Sequence, residues 1–177
     1  MSNAYERELK GILSGDVRTI ERISRSLNRE ERDAYCSLIK HHFLVVRAGG
    51  SLGIDIVAVR GNFAFPIEVK SSSEKVLRFS RSEKLSQQAK RMREMCEQAL
   101  LVPTYAFRLK NARDDPWRLF TLPGLRVMGE GVPSLLFKRL PKIGMTEEGN
   151  GIMRWEDGMK LSKFLDYFMH IDAETPL

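Results

Sequence analysis

Two acids and a lysine stand on neighbouring apolar runs in the first half of the sequence. Asp55 opens one run, Glu68 and Lys70 end the next, and the turn Arg60-Gly61-Asn62 lies between them. This spacing predicts a β-hairpin, which would bring Asp55 close to Glu68. Residues two apart share one face of a strand, so Lys70 would point to the same side as Glu68. Two carboxylates and an ammonium group are therefore expected to converge.

These groups suit the hydrolysis of a phosphodiester with the help of a divalent metal ion. Mg²⁺ prefers oxygen ligands and keeps several waters, so two carboxylates can hold it against a phosphate. The bound ion stabilises developing negative charge and lowers the pKa of a bound water. A lysine beside it can orient or deprotonate that water and neutralise charge on the phosphorus. The alternative is a plain hairpin with solvated charges at its ends.

Apolar periodicity and turn residues predict alternating helices and strands around this hairpin. Asp16 and Asn28 are expected to cap the second and third helices. Helices are predicted over 4–13, 17–27, 29–41 and from 80 or 82 to about 99, and strands over 43–48, 54–60, 63–70, 76–79, 103–109 and 117–122. Further on, we expect a strand over 134–140, two arms of a turn over 142–145 and 151–155, and a helix from Leu161.

Several motifs outside the hairpin follow one another in a recognisable order. The first predicted helix contains Tyr5-Glu-Arg-Glu-Leu-Lys-Gly-Ile-Leu13, and Phe43-Leu-Val-Val-Arg47 is followed by Gly50-Ser51. Together with Asp55 and Glu68-Val-Lys70, they resemble the core of the archaeal Holliday junction resolvases, which belong to the PD-(D/E)xK nuclease superfamily. The resemblance covers residues 5 to about 121.

The resemblance implies an α/β fold of the restriction-endonuclease-like type, with a mixed central sheet flanked by helices. The nuclease domain is expected over residues 1–122, with a helical insertion at about 14–41. Residues 123–177 would form a C-terminal extension that packs on the same domain. The extension could extend the sheet, cover its edge or mediate dimerisation, and the sequence leaves these three possibilities open.

The resemblance also implies roles for individual residues. Asp55 and Glu68 would bind Mg²⁺, with Mn²⁺ as the expected substitute, and Lys70 would stabilise the transition state or orient water. Ser51 matches the position of a serine needed for activity in the family. Arg47 matches an arginine proposed to contact a DNA phosphate.

The acid supplied by an N-terminal helix has two candidates. Glu6 lies in the segment whose local sequence is the closer match to the family, whereas Glu31 has the closer spacing to Phe43. We prefer Glu6 as a third metal ligand because its whole local motif matches. Either residue could equally be a solvated helix glutamate, which is the commoner case.

Further cations are candidates for DNA contacts. The segment 70–81 alternates serines with cations, and hydroxyl and cationic groups are common partners of phosphates. The predicted DNA-contacting residues are Arg7, Arg47, Lys75, Arg78 and Arg81. On the long helix that follows, Gln87 or Gln88 could contact metal-bound water or DNA, although a solvated polar face is at least as common.

Composition sets the outer limits of these hypotheses. The 177 residues favour one domain with a real core, and the net charge of +6 with a pI near 9.5 favours a polyanionic partner. Cys36 and Cys96 lack the spacing of a zinc site and suggest a reducing compartment. No apolar run approaches the length of a membrane span, and no signal peptide is visible. We therefore expect a cytoplasmic protein.

The combined hypothesis is a Mg²⁺-dependent, structure-selective endodeoxyribonuclease that resolves four-way DNA junctions by paired symmetric nicks. Two symmetric incisions call for a two-fold homodimer. The alternatives are another repair or restriction-type nuclease of the same superfamily and a nonenzymatic nucleic-acid-binding protein.

Overall fold

A computed structural model of the protein describes residues 2–49, 53–79, 83–125, 131–147 and 150–174. The helices are α1 (Ser2–Leu13), α2 (Val17–Ser24), α3 (Arg29–Ser37), α4 (Glu83–Gln98), α5 (Val132–Arg139) and α6 (Leu161–Glu174). The strands are β1 (Leu44–Arg47), β2 (Ile56–Arg60), β3 (Phe63–Ser72), β4 (Val76–Arg78), β5 (Thr104–Leu109), β6 (Trp117–Thr121), β7 (Gly144–Met145), β8 (Gly151–Arg154) and β9 (Met159–Lys160). Residues Trp155–Asp157 form one turn of 3₁₀-helix.

Six strands form a central mixed sheet in the order β1-β2-β3-β5-β6-β9. The pair β3 and β5 is parallel, whereas the other neighbouring pairs are antiparallel. Parallel neighbours need a long crossover, and the segment containing α4 supplies it. The predicted fold class, an α/β protein whose mixed central sheet is flanked by helices, is confirmed.

Side-chain alternation on β3 assigns the two faces of the sheet. Phe65, Ile67 and Val69 pack into a core shared with α1, α2, α3 and α6. Glu68 and Lys70 lie between these positions and therefore point to the opposite face. On that face, Met92 and Cys96 of α4 pack on aromatic residues of β5 in a second core. The hairpin acids thus belong to the α4 side of the sheet.

The C-terminal part contributes to both layers. β9 pairs with β6 and extends the central sheet, and α6 packs against β6 and α3. β7 and β8 pair with each other, and β8 also pairs with β4 in a separate three-stranded sheet. Among the possibilities left open for this part of the chain, extension of the sheet is therefore observed.

The predicted helix caps are confirmed. The Asp16 side chain accepts a hydrogen bond from the backbone of Thr19, and Asn28 forms a capping box with Glu31. Both caps satisfy amide groups that have no partner within the helix. The helices that they begin end earlier than predicted, at Ser24 and Ser37.

Two local predictions are wrong. The segment 134–140, predicted as a strand, belongs mainly to α5, because Pro133 suits a first helical turn and Val132, Leu136 and Leu140 bury one helical face. The strand predicted over 63–70 continues to Ser72 in β3, because Ser71 and Ser72 continue the pairing with β5.

A buried carboxylate ties α3 to the far side of the sheet. Asp115 accepts hydrogen bonds from the Tyr35 hydroxyl at 2.8 Å, the Trp117 backbone at 3.1 Å and the Ser162 backbone at 2.8 Å. Ser162 lies in the first turn of α6, so Asp115 caps that helix from a distant part of the chain. Three elements that are far apart in sequence meet at this one side chain.

Cys36 and Cys96 lie on α3 and α4, and neither forms a disulfide. Burial raises the pKa of the Cys96 thiol to about 12. No helix in the described ranges is long and apolar enough to cross a membrane.

Candidate metal centre

The β2–β3 hairpin holds Asp55 against the strand that carries Glu68. Ile56 pairs with Ile67, and the Asp55 backbone donates to the Ile67 carbonyl at 2.9 Å. The Asp55 side chain accepts a hydrogen bond from the Val69 backbone through Oδ2 at 2.8 Å. Asp55 is therefore fixed by β3 although it lies just outside β2.

Glu68 brings a second carboxylate and a cation to Asp55. Glu68 is 8% exposed, and the Asp55 carboxyl group lies close enough to raise its pKa. Lys70 donates to Glu68 Oε1 with a separation of 2.5 Å. Burial raises the pKa of Glu68, Asp55 raises it further, and the ammonium of Lys70 opposes the shift. The predicted convergence of Asp55, Glu68 and Lys70 is thus present in the structure.

The chemistry of these donors fits a hard divalent cation. Two neighbouring carboxylates repel each other when both are charged, and a cation bound between them would remove that cost. Among the side chains that the structure describes, no three acids, histidines or cysteines lie close enough to form a larger ligand set. Because Mg²⁺ keeps several waters, two carboxylates suffice if water and phosphate oxygens occupy the other positions.

A small cleft opens beside Glu68 and Lys70. The residues that line it come from five parts of the chain: Gly53, Glu68, Lys70, Phe79, Gln88, Ala89 and Tyr105. Gln88, predicted as a possible contact to water or DNA, is thus placed at the cleft. Tyr105 is the register partner of Glu68 on β5, a contact that only the strand order reveals.

Gly53 is a positioning residue that sequence reasoning did not single out. Its φ of 73° lies in the left-handed region, which favours glycine. A Cβ atom at this position would lie 2.8 Å from the backbone oxygen of Gln88. The glycine therefore lets α4 approach the loop that leads into Asp55. No sequence signal links positions 53 and 88, because their contact depends on how α4 packs.

The two helix acids occupy different parts of the molecule. Glu6 on α1 accepts from Arg47 at 2.7 Å, and Arg47 is the register partner of Ile56, the neighbour of Asp55. Glu31 on α3 pairs with Lys160 of β9 at 2.6 Å. β9 lies three places from β3 in the sheet order. Glu6 is therefore held at the Asp55 end of the hairpin, and Glu31 is held at the far edge.

The predicted DNA-contacting residues are spread over two regions. Arg7 is exposed on α1, directly after Glu6, which pairs with Arg47. Lys75 and Arg78 are exposed at β4, where Lys75 pairs with Glu156 at 2.5 Å. Ser51 and Arg81 lie outside the described residues, as does Gly50.

Comparison with known proteins points to one family. The sequence profile described as archaeal Holliday junction resolvase (Hjc) matches residues 22–132, a span that contains Asp55, Glu68 and Lys70. Among solved structures, the Holliday junction resolvase Hjc of Archaeoglobus fulgidus is 23% identical. That match covers 78% of this chain and 93% of the other, with a TM-score of 0.48. A search of curated proteins gave no match.

Proposed function

This chain belongs to the archaeal Holliday junction resolvase family, and we propose that it is a Mg²⁺-dependent endonuclease that cuts four-way DNA junctions with paired symmetric nicks. The observation that carries the proposal is that Asp55 is bound to the backbone of Val69, which lies between the paired residues Glu68 and Lys70 on one strand, inside the span that the family profile matches. The net charge of +6 is consistent with a DNA substrate.

Asp55 and Glu68 would hold the ion, with Mn²⁺ able to replace Mg²⁺. When bound, the ion supplies positive charge to the phosphate and lowers the pKa of a water. Lys70 orients the attacking water and offsets charge that builds up on the phosphate oxygens. The hydrogen bond from the Val69 backbone keeps the Asp55 carboxylate aimed at the same volume as Glu68. The pair is thus preorganised before the substrate arrives.

Glu6 is the better candidate for the acid contributed by a helix. It is held by Arg47 at the Asp55 end of the sheet, whereas Glu31 is tied to Lys160 at the far edge. Among the described residues Glu6 does not form a three-acid set with Asp55 and Glu68. We propose that it supports the centre from α1 by holding Arg47 in place for a DNA phosphate. Ser51, in the loop before Asp55, is proposed to assist the reaction.

The small sheet supports DNA binding near the cleft. β4 leads directly into Phe79, which lines the cleft, and its exposed residues include Arg78. The pairing of β4 with β8 fixes the course of this basic segment. We propose that Lys75, Arg78 and Arg81 contact backbone phosphates beside the cleavage site, with Arg7 contributing from α1.

The edge strand β1 is the proposed homodimer contact. β1 ends the order of the described central sheet, and its Leu44 and Val46 side chains are 69% and 54% exposed. Both lie on the face of β1 opposite the buried Phe43 core, in register with Val59 and Val57 of β2. Exposed apolar side chains on an edge strand mark an association surface. A two-fold dimer built here would present two copies of the centre to one junction.

Cleavage of matched DNA substrates tests this function. A four-way junction, a flap and a linear duplex of the same sequence are incubated with Mg²⁺ or EDTA, with Asp55→Asn as the inactive control. Paired symmetric nicks in the junction, lost with EDTA and with Asp55→Asn, are the expected result. Preferential cutting of flap or duplex would instead identify another nuclease of this superfamily. Tight binding without any cutting would identify a binding protein.

A further inference from the structure

A second basic cleft lies on the face of the sheet opposite the candidate metal centre. It is open to solvent, has a volume of about 610 Å³ and is lined by residues of α1, α2 and the end of β5: Ala4, Tyr5, Arg7, Glu8, Thr19, Arg22 and Lys110. Three of these seven residues carry a positive charge and one carries a negative charge. The cleft is therefore suited to an anion.

Glu8, the single acid among these lining residues, is neutralised by a buried arginine. Glu8 is buried and accepts hydrogen bonds from Arg108 Nε at 2.7 Å and from the Trp117 indole at 3.2 Å. Arg108 is itself largely buried, so this pair forms the floor of the cleft. The charge of Glu8 is therefore shared between the buried Arg108 and the rim residue Arg22.

Two rim cations have donors available for a ligand. Arg22 is 59% exposed, and its one hydrogen bond within the described chain is to Glu8 at 3.3 Å. Lys110 is exposed, and its ammonium makes no ion pair with any described residue. A guanidinium has five donors, so Arg22 can keep its bond to Glu8 and still bind an oxyanion.

The cleft starts at the same end of strand β3 as the metal centre. The Lys110 backbone donates to the carbonyl of Ser72, the last residue of β3, at 2.9 Å. Glu68 and Lys70 lie on that same strand, a few residues earlier, with side chains on the other face. DNA that passes from the metal centre around this end of β3 to the other face of the sheet would meet Lys110 first and Arg22 next.

We propose that this cleft is a second binding site for the DNA phosphate backbone, with Arg22 and Lys110 as its principal cations. The proposal rests on the proposed function, because it assumes a DNA substrate at the metal centre. Arg22 belongs to α2, within the helical insertion, so the insertion gains a role in holding DNA. The phosphates come either from the arm that is cut or from a second arm of a branched substrate.

The double variant Arg22→Gln/Lys110→Gln tests the site. Glu8 keeps Arg108 and Trp117 as partners in this variant, so the melting temperature should stay within about 2 °C of the wild type. The matched control is Lys138→Gln/Lys163→Gln, which removes two exposed lysines from α5 and α6, outside the cleft. Both variants lose the same total charge.

Binding is measured by fluorescence anisotropy in EDTA, with a four-way junction and a linear duplex, over a range of salt concentrations. The Arg22→Gln/Lys110→Gln variant should bind the junction at least about 10-fold more weakly, and the slope of log K against log salt should fall in magnitude by about 1.8 for two lost phosphate contacts. The lysine control should change both quantities much less.

The substrate comparison identifies the source of the phosphates. A larger loss for the junction than for the duplex assigns the cleft to a second arm, and an equal loss assigns it to the arm that is cut. If the variant binds both DNAs like the lysine control, the cleft proposal is overturned while the nuclease assignment stands. If the wild type binds neither DNA, the proposed function fails and the cleft proposal fails with it.

Discussion

Glu68 and Asp115 are both buried carboxyl groups, and they have opposite surroundings. Burial raises the pKa of each. Glu68 borders a cleft and meets a second carboxyl group, that of Asp55, together with the ammonium of Lys70. Asp115 is fully enclosed and meets three neutral donors from three different elements.

The difference in surroundings indicates that Glu68 belongs to a candidate site and Asp115 to the structural scaffold. Asp115 is fully enclosed and accepts hydrogen bonds from three well-placed donors, an arrangement that stabilises a fold and gives a ligand no access. Glu68 is held next to a like charge, which is unfavourable unless a proton or a cation neutralises it. Burial alone therefore does not mark a functional carboxylate, whereas the identity of its partners does.

The largest expected effect is the loss of cleavage in Glu68→Gln. Junction cutting should fall by about 10³-fold, because removal of a charged group that organises the transition state costs on this order. The unfolding free energy should not decrease, because burial of the Glu68 charge and its repulsion with Asp55 together outweigh its attraction to Lys70. Single-turnover cleavage and urea denaturation measure the two quantities. Full-rate cleavage, or a clear loss of stability, would contradict the assignment of Glu68.

For Asp115→Ala we expect the opposite pattern, a loss of stability with little change in cleavage. Three buried donors lose their acceptor, so the free energy of unfolding should fall by about 3 kcal/mol. At a temperature where the variant remains folded, the cleavage rate should stay within about twofold of the wild type. The control is Asp33→Ala, an exposed acid whose loss should cost less than about 0.5 kcal/mol. Equal losses of stability in Asp115→Ala and Asp33→Ala would contradict the structural role assigned to Asp115.

pH should distinguish the two carboxyl groups in a single titration. Because both pKa values are raised in the folded state, the folded protein retains protons that the unfolded chain has released. The free energy of unfolding should therefore decrease as the pH rises from the ordinary carboxyl range through the raised values. Protons compete with metal at Glu68, so stabilisation by Mg²⁺ should grow over the same window.

Thermal melts with and without Mg²⁺, at a series of pH values, measure both trends. Glu68→Gln should abolish the growth of the Mg²⁺ effect, and Asp115→Asn should leave that growth intact. A Mg²⁺ effect that weakens as the pH rises through this window would show that Glu68 does not bind the ion.

The smallest expected effect concerns the helix acids. Glu31→Gln removes the pairing with Lys160 and part of the capping box of α3, so stability should fall by about 1 kcal/mol with cleavage unchanged. Glu6→Gln should lower the cleavage rate, because Glu6 is held at the Asp55 end of the hairpin. Both are measured by the same cleavage assay and urea melt. A cleavage defect in Glu31→Gln, without one in Glu6→Gln, would reverse the assignment.

Several features of the site were predictable from neighbouring residues alone. The turn at Gly61 and the apolar runs beside it encode the hairpin, and the two-residue period places Glu68 and Lys70 on one face. The caps at Asp16 and Asn28 likewise depend on amide groups three residues away. Interactions between residues that are close in the chain can be predicted from the local sequence.

Other features depend on segments that are far apart in the chain. The enclosure of Asp115 by Tyr35 and Ser162, and the approach of α4 to Gly53, arise only when distant elements pack together. The sequence of segment 134–140 suggested the alternation of a strand. In the structure most of this segment is helical, because its apolar residues are spaced so that one helical face packs on the core. The sequence by itself determined the hairpin, its acids and the family, since these rest on short-range spacing. Only the tertiary structure decided where each helix glutamate is held and which buried carboxylate belongs to the scaffold, because both outcomes depend on partners that are remote in sequence.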